Sequence, residues 1–385
     1  MKVLHIGKYF APFKGGVETY LLDVMTALSR RGWDMAALVH NHDHSVRGHS
    51  ETHGDHGAEF AVRRSGTLLK LFFTPLSPAF RADLRRMVRE FRPDVIHVHL
   101  PNPSALWLLS LAEARSVPLV IHWHSDVITT EQGALMKALY AIYRPLERKL
   151  LQRAAAIIAT SPSYLDSSQS LAEFPDKCRV VPLGLDPARF EAYSGAPRPP
   201  SFQPGRMNVL AVGRLTYYKG FGVLLRALAK VDGVHVHIVG QGELRRELRA
   251  LARQLRVARR VSFHGKADDA ELAAMLAHCD CVCLPSIERT EAFGLVLLEA
   301  MQFGRATIAS AVPGSGMGWV VKGDVTGLKV EPRNVTALAG AMATLRDDRE
   351  WAEQLGRNGR ERFDARFTID RSVDALVDVY QEVAA

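Results

Sequence analysis

With 385 residues, 47% apolar and 23% charged, the chain exceeds the roughly 100–200 residues of one domain and has ordinary globular composition, which excludes a single small module and the disordered, collagenous and coiled-coil classes. The formal net charge of +8 is shared by both halves rather than gathered into one stripe with interleaved aromatics. That argues against a nucleic-acid partner and suits phosphate-bearing small ligands or an anionic membrane surface. No run approaches the roughly 18 apolar residues of a membrane span, and the N-terminus runs directly into a strand pattern without a leader-like segment. Four clustered cysteines, Cys178, Cys279, Cys281 and Cys283, are too few for a disulfide framework, so the cytoplasm is the expected compartment.

In the first half, short Val/Ile/Leu runs alternate with stretches of helical period, the pattern of βαβ units on a parallel sheet. Strands are predicted at Val3–Ile6, Ala36–Val39, Val95–Val98, Leu119–Trp123 and Ala156–Ala159. After Gly15-Gly16, the apolar positions Val17, Tyr20, Leu21, Val24 and Leu28 mark an amphipathic helix that Gly32 can end. Gly15 and Gly16 let backbone approach a ligand, and the N–H groups of the first helical turn attract an anion such as a diphosphate; a tight turn opening a helix is the plainer alternative.

Residues 40–56 carry His40, His42, His44, His49, His53 and His56 among Asp, Ser and Gly. The spacing matches no zinc motif, so an exposed, solvated loop is expected there. Next, Leu68-Leu69-Lys70-Leu71-Phe72-Phe73 precedes a helix pattern carrying Arg81, Arg85, Arg86, Arg89 and Arg92. It suits either a membrane interface holding a lipid-linked acceptor or a helix packed on its own sheet with arginines in water. In Ile96-His97-Val98-His99 and in Ile121-His122-Trp123-His124-Ser125-Asp126, alternation puts two imidazoles on one face of each strand. His124, nearest the strand's carboxyl end, is best placed to reach a ligand; ordinary hydrogen-bonded histidines are favoured over a metal site.

The Pro-rich stretch Ala196–Gly205 cannot continue a helix or central strand and is expected to be a stiff interdomain linker. Beyond it a second strand series is predicted at Val209–Val212, His235–Val239, Val261–His264, Cys281–Leu284 and Thr307–Ala309. Two α/β domains facing across a cleft would place ligands at the carboxyl ends of their strands. There, Arg214 could grip phosphate oxygens in a fork and Lys219 supply a compact charge. Glu291 and Glu299, eight residues apart around an apolar helical stretch, offer acceptors to a polyhydroxylated ligand, and the apolar neighbours of Glu299 argue for a buried, partnered carboxylate. Alternating Cys279, Cys281 and Cys283 are expected to be core residues, since alternation on a buried strand does not converge on one metal centre. The last segment, with Ile369, Val373, Leu376, Val377, Tyr380 and Val383 at helical spacing, is an amphipathic helix.

In this order, Gly15-Gly16-Val17-Glu18, His124-Ser125-Asp126, Val181–Asp186, Gly213-Arg214 with Lys219-Gly220, Val239-Gly240-Gln241-Gly242, Phe263-His264-Gly265 and Glu291–Glu299 resemble the family 4 glycosyltransferases of the GT-B fold along nearly the whole chain. The resemblance implies two Rossmann-like domains: an acceptor-binding one over 1–190, a nucleotide-sugar-binding one over 206–366, and a helix over 367–385 returning to the first. It implies retaining, metal-independent transfer of a hexose with no cofactor, consistent with the lack of an Asp-x-Asp motif. Arg214, Lys219 and the Gly16 backbone would stabilise the leaving diphosphate, and Glu299 would hold the ribose. Glu291 with the backbone of Phe293-Gly294 would bind the sugar, His124 would bind the sugar or polarise the site, and Gly15, Gly240 and Gly265 would complete the donor site.

Two departures are visible: Glu291-Ala292-Phe293-Gly294 where many members have Glu-Gly-Phe-Gly, and a Gly314–Trp319 loop without the usual acidic residue. That loop and the His122–Asp126 strand are similar to mannosyl- and rhamnosyltransferases of O-antigen or exopolysaccharide synthesis. They imply a GDP-sugar donor and a lipid-linked or glycan acceptor; the expected location is the cytoplasm, with the inner face of the cytoplasmic membrane as the alternative if the 68–92 segment meets a bilayer. A sugar-nucleotide epimerase of the same plan, or a non-catalytic nucleotide-sugar-binding protein, are the rival readings.

Overall fold

The computed structural model describes residues 1–43, 48–55, 57–71, 74–127 and 133–385. The chain divides into two compact units, Met1–Gly184 with Ile369–Ala385, and Leu185–Thr368.

In the first unit the strands are β1 (Lys2–Ile6), β2 (Asp34–His40), β3 (His49–Asp55), β4 (Ala58–Ser65), β5 (Leu69–Leu71), β6 (Thr74–Leu76), β7 (Val95–Leu100), β8 (Leu119–Trp123), β9 (Ala156–Ala159) and β10 (Cys178–Val180). Eight of them form one sheet in the order β10-β9-β8-β7-β1-β2-β4-β3, parallel except for β3, while β5 and β6 make a separate hairpin. The central strands β7 and β8 are buried along their whole length, as expected when helices cover both faces of a parallel sheet. Helix Gly16–Arg30 follows β1 and helix Ile369–Ala384 packs beside it, tied by Tyr20 Oη to Ser372 Oγ at 2.7 Å and by Arg31 to Asp370 and Asp374.

The second unit holds β11 (Met207–Val212), β12 (Val234–Val239), β13 (Val261–Gly265), β14 (Cys281–Leu284), β15 (Ala306–Ser310) and β16 (Leu328–Val330), all parallel, in the order β13-β12-β11-β14-β15-β16. This is the doubly wound order that reverses direction between its first and fourth strands, here β11 and β14. Val209, Ala211, Val236, Ile238, Cys281, Cys283 and Ile308 fill the core beside Leu224, Leu225 and Met342. Burial pushes the Cys279 thiol up to about 12, and all three alternating cysteines sit in the apolar interior.

Two expectations are corrected. Within the histidine-rich stretch, His49–Asp55 is not a loop but the edge strand β3, paired antiparallel with β4, and His53 stacks on Phe60 at 5.1 Å. His44 and His56 lie outside the described residues. The Pro-rich stretch Ala196–Gly205 belongs to the second unit rather than bridging two domains: Phe202 is buried against His237, and Gln203 N–H bonds Asn208 Oδ1 at 2.9 Å.

Candidate functional site

At the reversal point of the second sheet, the loops leaving β11 and β14 pack together. Ile287 N–H donates to Tyr218 O at 2.8 Å, and a side chain on Gly220, at φ 69°, would collide with the Pro285 carbonyl. This contact brings Lys219 to Glu291: Nζ lies 2.5 Å from Oε2, with both side chains about seven-eighths buried. Burial opposes the Lys219 charge, but the Glu291 carboxylate outweighs it and holds the ammonium above its usual range. The Lys219 stem runs back under Gly213, where a Cβ would meet Nζ at 3.2 Å. Arg214, on the same loop, is exposed.

Glu291 is fixed from several sides. Ser315 Oγ donates to its carbonyl at 2.5 Å, Gly316 N–H donates to Ala292 O at 2.7 Å, and Ser286 Oγ reaches Oε2 at 3.4 Å. The Gly314–Trp319 loop, which lacks an acidic residue, therefore serves here to hold the Glu291-Ala292 backbone. Gly294, at φ 84°, opens helix Leu295–Gln302. Phe293 turns inward against Phe367 and Trp319, leaving its backbone at the helix start.

Glu299, on that helix, is buried and pairs with Arg189 Nη1 at 3.3 Å, and Arg189 also bonds Asp269. The turn Pro187–Tyr193 delivers the arginine: Asp186 caps it through Ala188 N–H, and Gln302 Nε2 donates to Pro187 O. Gly240 and Gly265 end β12 and β13. Gly240, at φ 144°, packs so closely that a Cβ would lie 1.9 Å from Gly213 O, whereas the positive φ of Gly265 meets open space. Arg189, Asp269 and Ser315 escaped the sequence reading; the Asp186-Pro187 turn start was the only local signal for Arg189.

In the first unit, Gly15 precedes helix Gly16–Arg30 in extended conformation, and the Glu18 carboxylate folds back over it. His124 is 6% exposed, with Nε2 2.8 Å from His99 Nδ1. The β1, β7 and β8 registers pair His5 with His97 and His99 with His122. Five imidazoles, His5, His97, His99, His122 and His124, thus share one sheet face. Loss of solvation pushes the affinity of each for a proton down, that of His99 to about 3. The basic helix Phe80–Phe91 turns Phe80, Leu84 and Val88 inward and pairs Arg85 and Arg89 with Glu113. Leu68 and Leu69 are exposed, and Phe72 and Phe73 lie outside the described residues. No helix among the described residues is long and apolar enough to cross a membrane.

A pinned cation–carboxylate pair at the carboxyl ends of a doubly wound sheet defines a small-ligand site of the α/β class, suited to an anionic, polyhydroxylated ligand. Two family models match in tandem: Glycosyltransferase Family 4 over residues 14–189 and Glycosyl transferases group 1 over residues 197–362. The chain is 32% identical to the O-antigen chain mannosyltransferase C of Escherichia coli, over 99% of this chain and 98% of that protein. It is also 32% identical to the D-rhamnosyltransferase WbpZ of Pseudomonas aeruginosa, over 96% and 92%. The sucrose-phosphate synthase of Thermosynechococcus elongatus superposes with a TM-score of 0.81 at 23% identity, over 99% of this chain and 98% of that one. The chain belongs to the family 4, group 1 glycosyltransferases, with the GT-B fold, and is a hexosyltransferase.

Proposed function

We propose that the chain transfers mannose or rhamnose, with retention and without a metal on the diphosphate, from a GDP-sugar to a lipid-linked or glycan acceptor in O-antigen or related cell-surface polysaccharide synthesis. Full-length likeness at 32% identity to a mannosyltransferase and a rhamnosyltransferase supports the sugar class. The observation that carries the reading is the Lys219–Glu291 pair at the sheet's reversal point.

As the glycosidic C–O bond breaks, negative charge grows on the departing diphosphate, and Lys219 with Arg214 neutralises it. Incoming phosphate draws Lys219 from Glu291, whose carboxylate turns to accept from sugar hydroxyls beside the Phe293-Gly294 backbone. Glu299, held by Arg189, accepts from ribose hydroxyls. Gly240 and Gly265 shape the strand ends that admit the donor. The first unit takes the acceptor, while its Gly15-Gly16 backbone serves the donor diphosphate and His124 binds the donor sugar or polarises the site. An anionic bilayer surface would present a lipid-linked acceptor to Leu68, Leu69 and the exposed arginines of helix Phe80–Phe91; flotation with anionic liposomes at low salt tests this, and absence of binding refutes it.

Transfer from labelled GDP-mannose and GDP-rhamnose, in parallel with UDP- and ADP-sugars, to a membrane-extracted glycolipid acceptor tests the whole reading. An α-linked product from an α-linked donor, formed in the presence of EDTA, is expected. An inverted anomer, or hydrolysis alone with every donor, would contradict it.

A further inference from the structure

Two turns carry the charged pair at the reversal point of the second sheet. One is Tyr217–Lys219 after β11; the other, residues 286–291 after β14, is closed by Glu291 N–H on Glu288 O at 3.1 Å. Polar contacts join the two turns in a row. In the middle, Ile287 N–H donates to Tyr218 O at 2.8 Å, and on one side stands the Lys219–Glu291 pair. On the other side, Tyr217 Oη donates to Glu288 Oε2 at 2.8 Å. The Glu288 side chain is mostly buried, and a neutral donor on a carboxylate makes one of the stronger hydrogen bonds in a protein. A third loop, after β16, brings Arg333 Nη2 to 3.8 Å from Glu288 Oε1, from a backbone at φ 64° that few residues but glycine adopt. That arginine is exposed and its contact is long, so it adds little to the hold.

A single hydrogen bond between two turns is a pivot, and a second beside it fixes their angle. In the ligand-free chain, contacts on both flanks of the Ile287–Tyr218 bond do so. In the proposed transfer the donor removes one of them, because phosphate draws Lys219 away while sugar hydroxyls draw Glu291. The Tyr217–Glu288 bond stays beside the pivot. We propose that Tyr217 and Glu288 are positioning residues that keep the phosphate-binding turn and the sugar-binding turn in register once the donor has parted Lys219 from Glu291, an inference that rests on the diphosphate reading of this site. Neither side chain touches the donor; each acts through its neighbour two or three residues on. The consequence is a selective one. GDP alone engages the Lys219 turn and leaves the angle between the turns free. A GDP-sugar joins diphosphate and sugar covalently, so it needs the turns at one spacing, and it needs that spacing most narrowly in the transition state, where small misplacements are costly.

The test uses the full chain and Tyr217→Phe, which removes the hydroxyl and keeps the ring. Calorimetric titration should give a GDP dissociation constant within about twofold of wild type, while kcat/KM for transfer from GDP-mannose falls about tenfold, chiefly in kcat, as loss of a hydrogen bond to a charged group entails. Glu288→Gln, whose amide oxygen still accepts from Tyr217, should keep most of the rate. Glu288→Ala should match Tyr217→Phe, and the double variant should be no worse than either. A wild-type kcat/KM in Tyr217→Phe, equal losses in GDP binding and transfer, or additive losses in the double variant would overturn the proposal. So would a ligand-free melting temperature that drops as far as the one with GDP-mannose bound, the mark of a merely structural bond. UDP and ADP with their sugar conjugates run in parallel. If wild type binds no nucleotide, the diphosphate reading fails and the positioning role with it; if it binds and Tyr217→Phe transfers unimpaired, the positioning role fails alone.

Discussion

Lys219 and Glu291 each neutralise the other in a pocket that excludes most solvent. Removing one partner leaves an uncompensated buried charge, at a cost of about 3–5 kcal/mol for a fully buried pair. Lys219→Ala is therefore expected to lower stability and weaken diphosphate binding at least tenfold. Glu291→Gln, which keeps the shape, should cost less stability and fall mainly on transfer rate; calorimetric titration with GDP alongside steady-state kinetics separates the two. Gly240→Ala drives a methyl into the Gly213 carbonyl at 1.9 Å in a backbone region that disfavours side chains. It should lose about 3 kcal/mol in urea denaturation, and an unchanged midpoint would show that the strand ends can part. Arg214, Lys219, Glu291 and Glu299 could be singled out in the sequence as candidates because phosphate and sugar recognition calls for those groups at strand ends. Arg189 was not, because nothing local says that a turn over a hundred residues earlier will dock on the helix bearing Glu299.

The predicted parallel strands recur because runs such as Val95–Leu100 and Val234–Val239, apolar on one face and carrying histidines on the other, are buried along their whole length, as in a sheet covered on both faces. β3 was missed because HSETHGD is polar, as an edge strand can be; its pairing comes from β4, whose Phe60 and Val62 turn into the core. Single histidines on these strands couple stability to pH. His40 at the end of β2, facing Ser104, Phe80 and Lys8, is pushed down to about 4, and His237 on β12, between Asn208, His235, His264 and Phe202, to about 3, in each case chiefly by burial. Each binds its proton less readily folded than unfolded, where the value is about 6.5. Its share of stability is thus complete above pH 6.5 and lost as pH falls toward the folded value, by about 1.4 kcal/mol per pH unit. In His40→Gln, the slope of unfolding free energy between pH 6 and pH 5 should be shallower by about that amount; an unchanged slope would mean that His40 titrates normally.

At the scale of the whole chain, the C-terminal helix is part of the first unit although the second lies between them in sequence. Its apolar stripe was readable from the residues; its address came only with the family resemblance, because it depends on Tyr20, His97 and Arg31 meeting Ser372, Tyr380, Asp370 and Asp374. Deleting residues 369–385 exposes Tyr20 and the His97 side of the sheet. It should lower the melting of the first unit selectively while the second keeps its own transition; equal loss in both would show that the two unfold as one cooperative block.

The most direct test of the account is a thermal-shift comparison of GDP, UDP, ADP and their sugar conjugates on wild type and Lys219→Ala. A ligand at about 100 times its dissociation constant adds roughly 2.7 kcal/mol of apparent stability. A selective rise with GDP and its mannose or rhamnose conjugate, absent in the variant, is expected. A response to none of the nucleotides, or one that Lys219→Ala leaves intact, would contradict a diphosphate site built on Lys219 and Glu291.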